Sequence, residues 1–127
     1  MKVKNNKFFI SPSDLNNFIA CKYTALNEIK FHNKEIKKSD DKVNDELWKK
    51  MGIDHEKKHY KLLKDKYKKN ITIKSDLNEN DRFNETVSAI QKGHDLIYHA
   101  YLVDENFRGE ADFLIKCDTP SDLGGFS

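Results

Sequence analysis

No apolar run in the 127-residue chain approaches the roughly 18 residues that a helical membrane span needs, so such a span is excluded. Nor does Met1-Lys2-Val3-Lys4 lead into the apolar region of a secretory signal, because Asn and Lys follow. A cytoplasmic location is expected. Cysteine is scarce: Cys21 and Cys117 stand far apart and make no CxxC pair, which argues against a disulfide framework and a self-contained cysteine zinc site. No internal repeat or low-complexity linker marks a second domain, and the length suits one domain or part of one. Hydrophobic residues make up only 37% and charged residues 35%, yet eight Phe and five Tyr supply bulky core material. A folded domain with a polar exterior follows.

The net charge of +2 hides a division. Residues 1–74 hold 19 Lys against 10 acids, a balance of +9, whereas residues 75–127 hold 4 basic and 11 acidic residues, a balance of −7. A basic half beside an acidic half suits a protein that attracts a polyanion with one face and holds cations with another. Nucleotide bias in the source genome accounts equally well for abundant Lys and Asn, and charged runs are usually solvated faces.

Helical spacing is visible in three places. Ser11-Pro12-Ser13-Asp14 is a helix start, with Ser11 as cap, Pro12 in the first turn and Asp14 closing a capping box. Leu15, Phe18, Ile19, Leu26 and Ile29 continue the pattern, which predicts one helix from about 12 to 29. Residues 32–42 are almost wholly polar and are expected to form an exposed connection. A second helix, from about 43 to 68, carries Leu47, Met51, His55, His59, Leu62 and Leu63 along its inward stripe, so His55 is expected to face the protein. Ile71-Thr72-Ile73 reads as a short strand, and Phe83, Val87 and Ile90 mark a third helix that Gly93 ends.

Leu96-Ile97-Tyr98-His99-Ala100-Tyr101-Leu102-Val103 is apolar on both faces, which suits a strand inside a sheet. Asp104-Glu105-Asn106 turns the chain and Phe107 begins an antiparallel partner. In that strand Phe107, Gly109, Ala111, Phe113, Ile115 and Cys117 point to the core, while Arg108, Glu110 and Asp112 share the other face. Phe126-Ser127 stand where a third strand would start. A hairpin with a doubly apolar first strand is not a finished sheet, so the chain is expected to be truncated or to complete its sheet with another molecule.

Two constellations compete for function. His55-Glu56-Lys57-Lys58-His59 matches the H-E-x-x-H pattern of zinc metalloproteases, in which two histidines at i and i+4 share a helix face beside a general base. That reading predicts a third ligand downstream on an apolar helix pair, but this helix is studded with Lys, and His94 and His99 flank or occupy a strand. His55 belongs as well to Gly52-x-x-His55, followed much later by Gly109-Glu110-Ala111-Asp112.

That order of motifs resembles the start of the PD-(D/E)XK nucleases of the RecB-like type. The opening Ser11-Pro12-Ser13-Asp14-Leu15-Asn16-Asn17-Phe18 with Cys21, and Phe107-Arg108-Gly109-Glu110-Ala111-Asp112-Phe113-Leu114, are similar to that family's stretches. The resemblance covers nearly all of the chain. It implies an α+β fold with an incomplete α/β restriction-endonuclease-like core: N-terminal helices, then an antiparallel hairpin of a truncated mixed sheet. All of residues 1–127 would be the N-terminal part of one nuclease domain. His55 and Asp112 would be ligands for Mg²⁺ or Mn²⁺, with Glu110 as a possible assistant. The family's acid-x-Lys pair has no counterpart after Asp112. Some relatives hold an iron–sulfur cluster with one cysteine near the N-terminus, where Cys21 stands, although a buried structural thiol is the plainer expectation.

The chemistry needs these parts. Cleaving a phosphodiester requires a hard cation on carboxylates to neutralise phosphoryl charge and to produce a nucleophilic water, and a lysine to orient it. The 127 residues are therefore expected to be inactive alone, as the first portion of a DNA nuclease that acts in DNA repair. Expected partners are DNA or RNA and a helicase domain or the rest of the same protein. A non-catalytic nucleic-acid-binding module, with Lys49, Lys50, Lys57 and Lys58 on phosphates, is the alternative. Glu56 and Glu85 are placed outside the site, and His32, His59, His94 and His99 have no expected partner.

Overall fold

The carboxylate of Asp14 accepts the Ser11 backbone N–H at 2.8 Å and the Ser11 hydroxyl at 2.6 Å, while Ser11 Oγ takes the Asp14 N–H at 3.4 Å. This is the expected capping box. The computed structural model describes residues 1–4, 6–37, 45–120 and 122, in a mixed α+β arrangement of four helices and two small sheets. The short strands β1 (Lys2–Lys4) and β2 (Lys7–Phe9) pair antiparallel ahead of the capping box. Asn6 between them takes φ 58°, a left-handed position that Asn tolerates.

The single helix expected over 12–29 is two: α1 (Pro12–Ala20) and α2 (Lys22–His32). Cys21 separates them in extended backbone, φ −159° and ψ 112°. Its N–H reaches Asn17 O at 2.9 Å and its carbonyl takes the Thr24 N–H at 3.0 Å, so one residue satisfies both helix ends. Cys21 is exposed, which corrects the expectation of a buried thiol; Cys117 is exposed too. Residues 33–37 of the polar connection are exposed as expected, and residues 38–42 lie outside the described residues.

The chain divides into two compact units, Met1–Asp45 with Val103–Gly109, and Glu46–Leu102 with Glu110–Ser127. In the first, Ile10 donates its N–H to Asn106 O and accepts from the Arg108 N–H, both at 2.9 Å. Gly109 lies where a Cβ would meet the Pro12 ring at 3.3 Å, so the close approach selects glycine there.

The second unit holds most of α3 (Asp45–Lys66), then β3 (Asn70–Thr72), α4 (Glu79–Gln91), and most of β4 (Leu96–Asp104) and β5 (Phe107–Ile115). The sheet order is β3-β4-β5. β3 runs parallel to β4, with Asn70 opposite Leu96 and Thr72 opposite Tyr98. A two-residue turn joins β4 to β5, which makes that pair antiparallel and the sheet mixed. β4 is thus the central strand, and its apolar character on both faces follows. Ile73, Ala89, Ile97 and Ala100 form the buried core, with Ile71, Ala111 and Leu114 packed on it. Gly93 ends α4 at φ 67°, as expected.

Both helices of this unit turn a different face inward from the one their aliphatic residues suggest. On α3 the half-buried positions are Glu56, Tyr60 and Leu63, whereas Leu47, Met51, His55, His59 and Leu62 are exposed. Tyr60 fixes that rotation by stacking on Tyr98 with centroids 4.1 Å apart. On α4 the buried positions are Arg82, Thr86 and Ala89, and Ile90 is half exposed. The Thr86 hydroxyl donates to Arg82 O at 2.9 Å and accepts the Tyr101 N–H at 3.0 Å, which ties helix to strand. Thr86→Val keeps the shape and leaves that buried N–H unpaired. It should cost about 1–3 kcal/mol, read as a lower urea midpoint at unchanged slope.

Candidate functional site

His99 sits in the middle of the central strand with φ 59°, a left-handed conformation that costs a non-glycine residue roughly 1–2 kcal/mol. Successive strand residues ordinarily point to opposite faces. Here the Tyr98 and His99 rings lie together, centroids 3.9 Å apart, while Ile97 and Ala100 both pack in the cluster with Ala89. The kink therefore shifts the alternation by one residue, as a bulge does, and turns a histidine toward α3. His99→Gly should be more stable than His99→Ala by about 1 kcal/mol in urea unfolding, since only glycine relaxes this backbone. Equal stability would show that position 99 does not hold this conformation.

The reoriented ring joins groups from both helices and from β5. His99 Nδ1 lies 2.7 Å from Glu110 Oε1, and Nε2 lies 3.4 Å from Glu56 Oε1. The other oxygen of Glu110 accepts a hydrogen bond from Arg82 Nη2. Arg82 is nearly buried, and its guanidinium covers the Tyr101 ring at 4.6 Å. A polar chain thus runs from Arg82 on α4 through Glu110 and His99 to Glu56 on α3. Glu56 Oε1 is sealed from solvent, and the 3.4 Å approach of His99 Nε2 falls short of a hydrogen bond, a costly position for a carboxylate oxygen.

Two groups here are electrostatically displaced. Burial works to raise the Glu110 carboxyl, but hydrogen bonds from Arg82 and His99, with their charges, hold it below the ordinary carboxylate range. A depressed folded-state value stabilises the fold above the unfolded value, and that stability is lost as pH falls through the folded one. The urea midpoint should therefore drop between about pH 6 and about pH 3. Glu110→Gln should flatten that dependence; an unchanged slope would deny Glu110 the role. Tyr98 moves the other way: burial first, then hydrogen bonding to Glu56 and the charges of Glu56 and Asp112, hold its hydroxyl firmly protonated.

Asp112 is exposed on β5, near enough to Tyr98 for its charge to act on that hydroxyl. His55 is exposed on α3 and stacks parallel to His59, whose ring meets the edge of Phe113 at 5.5 Å. The inward partner in the H-E-x-x-H run is Glu56, because Glu56 and Tyr60 share the half-buried face. Gly52, which opens the Gly-x-x-His motif, has open space where a Cβ would stand. Among the described residues no three His, Cys, Asp or Glu side chains gather to hold a metal ion. His55 and Asp112 are not drawn into such a group, and Glu110 is committed to Arg82 and His99. These residues alone do not fit a divalent-cation centre, which takes about six oxygen donors.

Lys49, Lys50 and Lys58 are exposed on α3, and Lys57 lines a cleft of about 540 Å³ whose wall includes Tyr98 and His99. Cys21 is the N-cap of α2, and N–H groups of Thr24 and Tyr23 hold its thiol below the usual range. Other histidines also have partners: His32 Nε2 lies 3.0 Å from Met1 O, and His94 Nδ1 lies 3.0 Å from Ala89 O. Sequence reasoning missed Glu56, Arg82 and His99. His99 alone carried a signal, as the one strongly polar side chain in the apolar run from 96 to 103. Among the described residues no helix is long and apolar enough to cross a membrane. No family model, curated protein or solved structure matches the chain.

Proposed function

We propose that this chain is the N-terminal portion of a RecB-like, divalent-metal-dependent DNA nuclease with a restriction-endonuclease-like core. The observation that carries the reading is the run Glu56–His99–Glu110, with Asp112 on the same strand as Glu110, beside a cleft lined by Lys57 and Lys74. Acidic groups next to a lysine-lined cleft suit phosphodiester hydrolysis, for which a divalent cation held in part by such groups would supply charge neutralisation at the phosphoryl oxygens. In this reading Asp112 is the carboxylate ligand and His55 the helix ligand. Further donors come from the substrate phosphate, from water and from the acid-x-Lys strand of the family pattern. Mg²⁺ or Mn²⁺ is the metal, DNA the substrate and a helicase domain a partner. An iron–sulfur role for Cys21 belongs to the same reading.

The test is metal-dependent degradation of DNA by the complete gene product. Loss of cleavage in Asp112→Ala supports the reading, and cleavage that survives it sinks the reading. A non-catalytic nucleic-acid-binding module is the second reading, favoured by the incomplete metal-ligand set among the described residues. It predicts DNA binding without turnover in that same protein.

A further inference from the structure

We infer that the cleft beside His99 binds the phosphate backbone of a single nucleic-acid strand. The identity of the ligand rests on the nuclease reading, while the site rests on its own geometry. Two lysines reach the cleft from different elements, Lys57 from α3 and Lys74 from the segment after β3. Among the described residues neither is held in an ion pair. Asp76 is the acid on the lining, so the wall keeps a net positive charge.

Hydroxyl groups complete the lining. Thr72 and Ser75 both line the wall, and the Tyr60 hydroxyl meets Thr72 Oγ1 at 2.9 Å, which holds α3 against β3 at the cleft. Phosphate oxygens are acceptors only, so ammonium and hydroxyl donors are the groups that recognise them. The stacked Tyr60 and Tyr98 rings give the same cleft an apolar wall suited to a sugar. Its volume of about 540 Å³ is in the range that holds a small ligand or one nucleotide unit of a strand. The left-handed turn at His99 matters for this reason: it brings the imidazole into the cleft wall, where an alternating strand would point it away.

Fluorescence anisotropy of a short labelled single-stranded oligonucleotide, in chelator and low salt, tests the site without any catalysis. Lys57→Glu with Lys74→Glu should weaken binding by at least ~10-fold and lower the salt slope by about 1 per lysine. Lys57→Gln with Lys74→Gln, checked by circular dichroism, should act in the same direction if the charge reversal impairs folding. Lys61→Glu with Lys66→Glu makes the same charge change on α3 outside the cleft, and should weaken binding by less than ~3-fold. Equal losses in the two pairs would mean diffuse attraction to a basic helix and would overturn the inference, as would binding indifferent to the cleft pair. Displacement by inorganic phosphate as effective, mole for mole, as by unlabelled oligonucleotide would make this a free-anion site and overturn the strand assignment. If the cleft pair behaves as expected and the complete gene product still cleaves with Asp112→Ala, the nuclease reading fails while the cleft stands.

Discussion

Under the proposed nuclease function, replacing Asp112 by alanine should lower metal-dependent DNA cleavage by the complete gene product about 10³-fold, with little change in stability. A carboxylate that holds a cation against developing phosphoryl charge supplies several kcal/mol to the transition state, and each ~1.4 kcal/mol is a factor of ten. Asp112 is exposed, and an exposed side chain outside the core usually changes stability by no more than about 0.5 kcal/mol. The two readouts therefore separate a chemical role from a structural one. Single-turnover cleavage at saturating Mn²⁺ measures the first, and urea unfolding measures the second. A parallel loss of both would move Asp112 out of the site and into the fold.

Glu110→Ala should do the reverse, destabilising the second unit by about 2–3 kcal/mol. The cost arises less from losing a pair than from leaving a charge behind: the Arg82 side chain is only 10% exposed, and its Nε already lacks a hydrogen-bond partner. Glu110 keeps 35% of its own surface, which places the cost below the roughly 3–5 kcal/mol of breaking a fully buried pair. Adding Arg82→Met should recover most of the loss, because a methionine can cover Tyr101 without a charge to solvate. The coupling between the two substitutions is then the measured quantity, read from a double-mutant cycle of urea midpoints. Additive losses would mean that the two side chains are energetically independent despite their contact.

These contrasting roles could not be assigned from the β5 pattern, in which Glu110 and Asp112 are equivalent as alternating acids. Their difference depends on which side chains other elements bring. Arg82 comes from α4 and His99 from a kinked β4, and both choose Glu110. The same limit applies to α3. Counting aliphatic residues put His55 inward, but the partner surface there is Tyr98, which selects Tyr60 and with it Glu56. An aromatic stack outweighed a stripe of leucines because ring contact buries more area in one place. Residue spacing likewise carried α1 past Cys21, since nothing in its identity signals the extended conformation that parts α1 from α2.

The order of the larger elements, the Ser11–Asp14 cap, the Gly93 stop and the interior character of the strand from Leu96 were all determined by the sequence alone. Each depends on neighbours within a few positions, where backbone geometry and side-chain spacing leave few alternatives. Tertiary structure alone decided that His99 takes a left-handed turn and that Glu56 rather than His55 faces the sheet. It decided as well that Arg82 spends its charge on Glu110. Those outcomes depend on groups 11 to 43 positions apart in the chain, and only packing brings them within reach of one another.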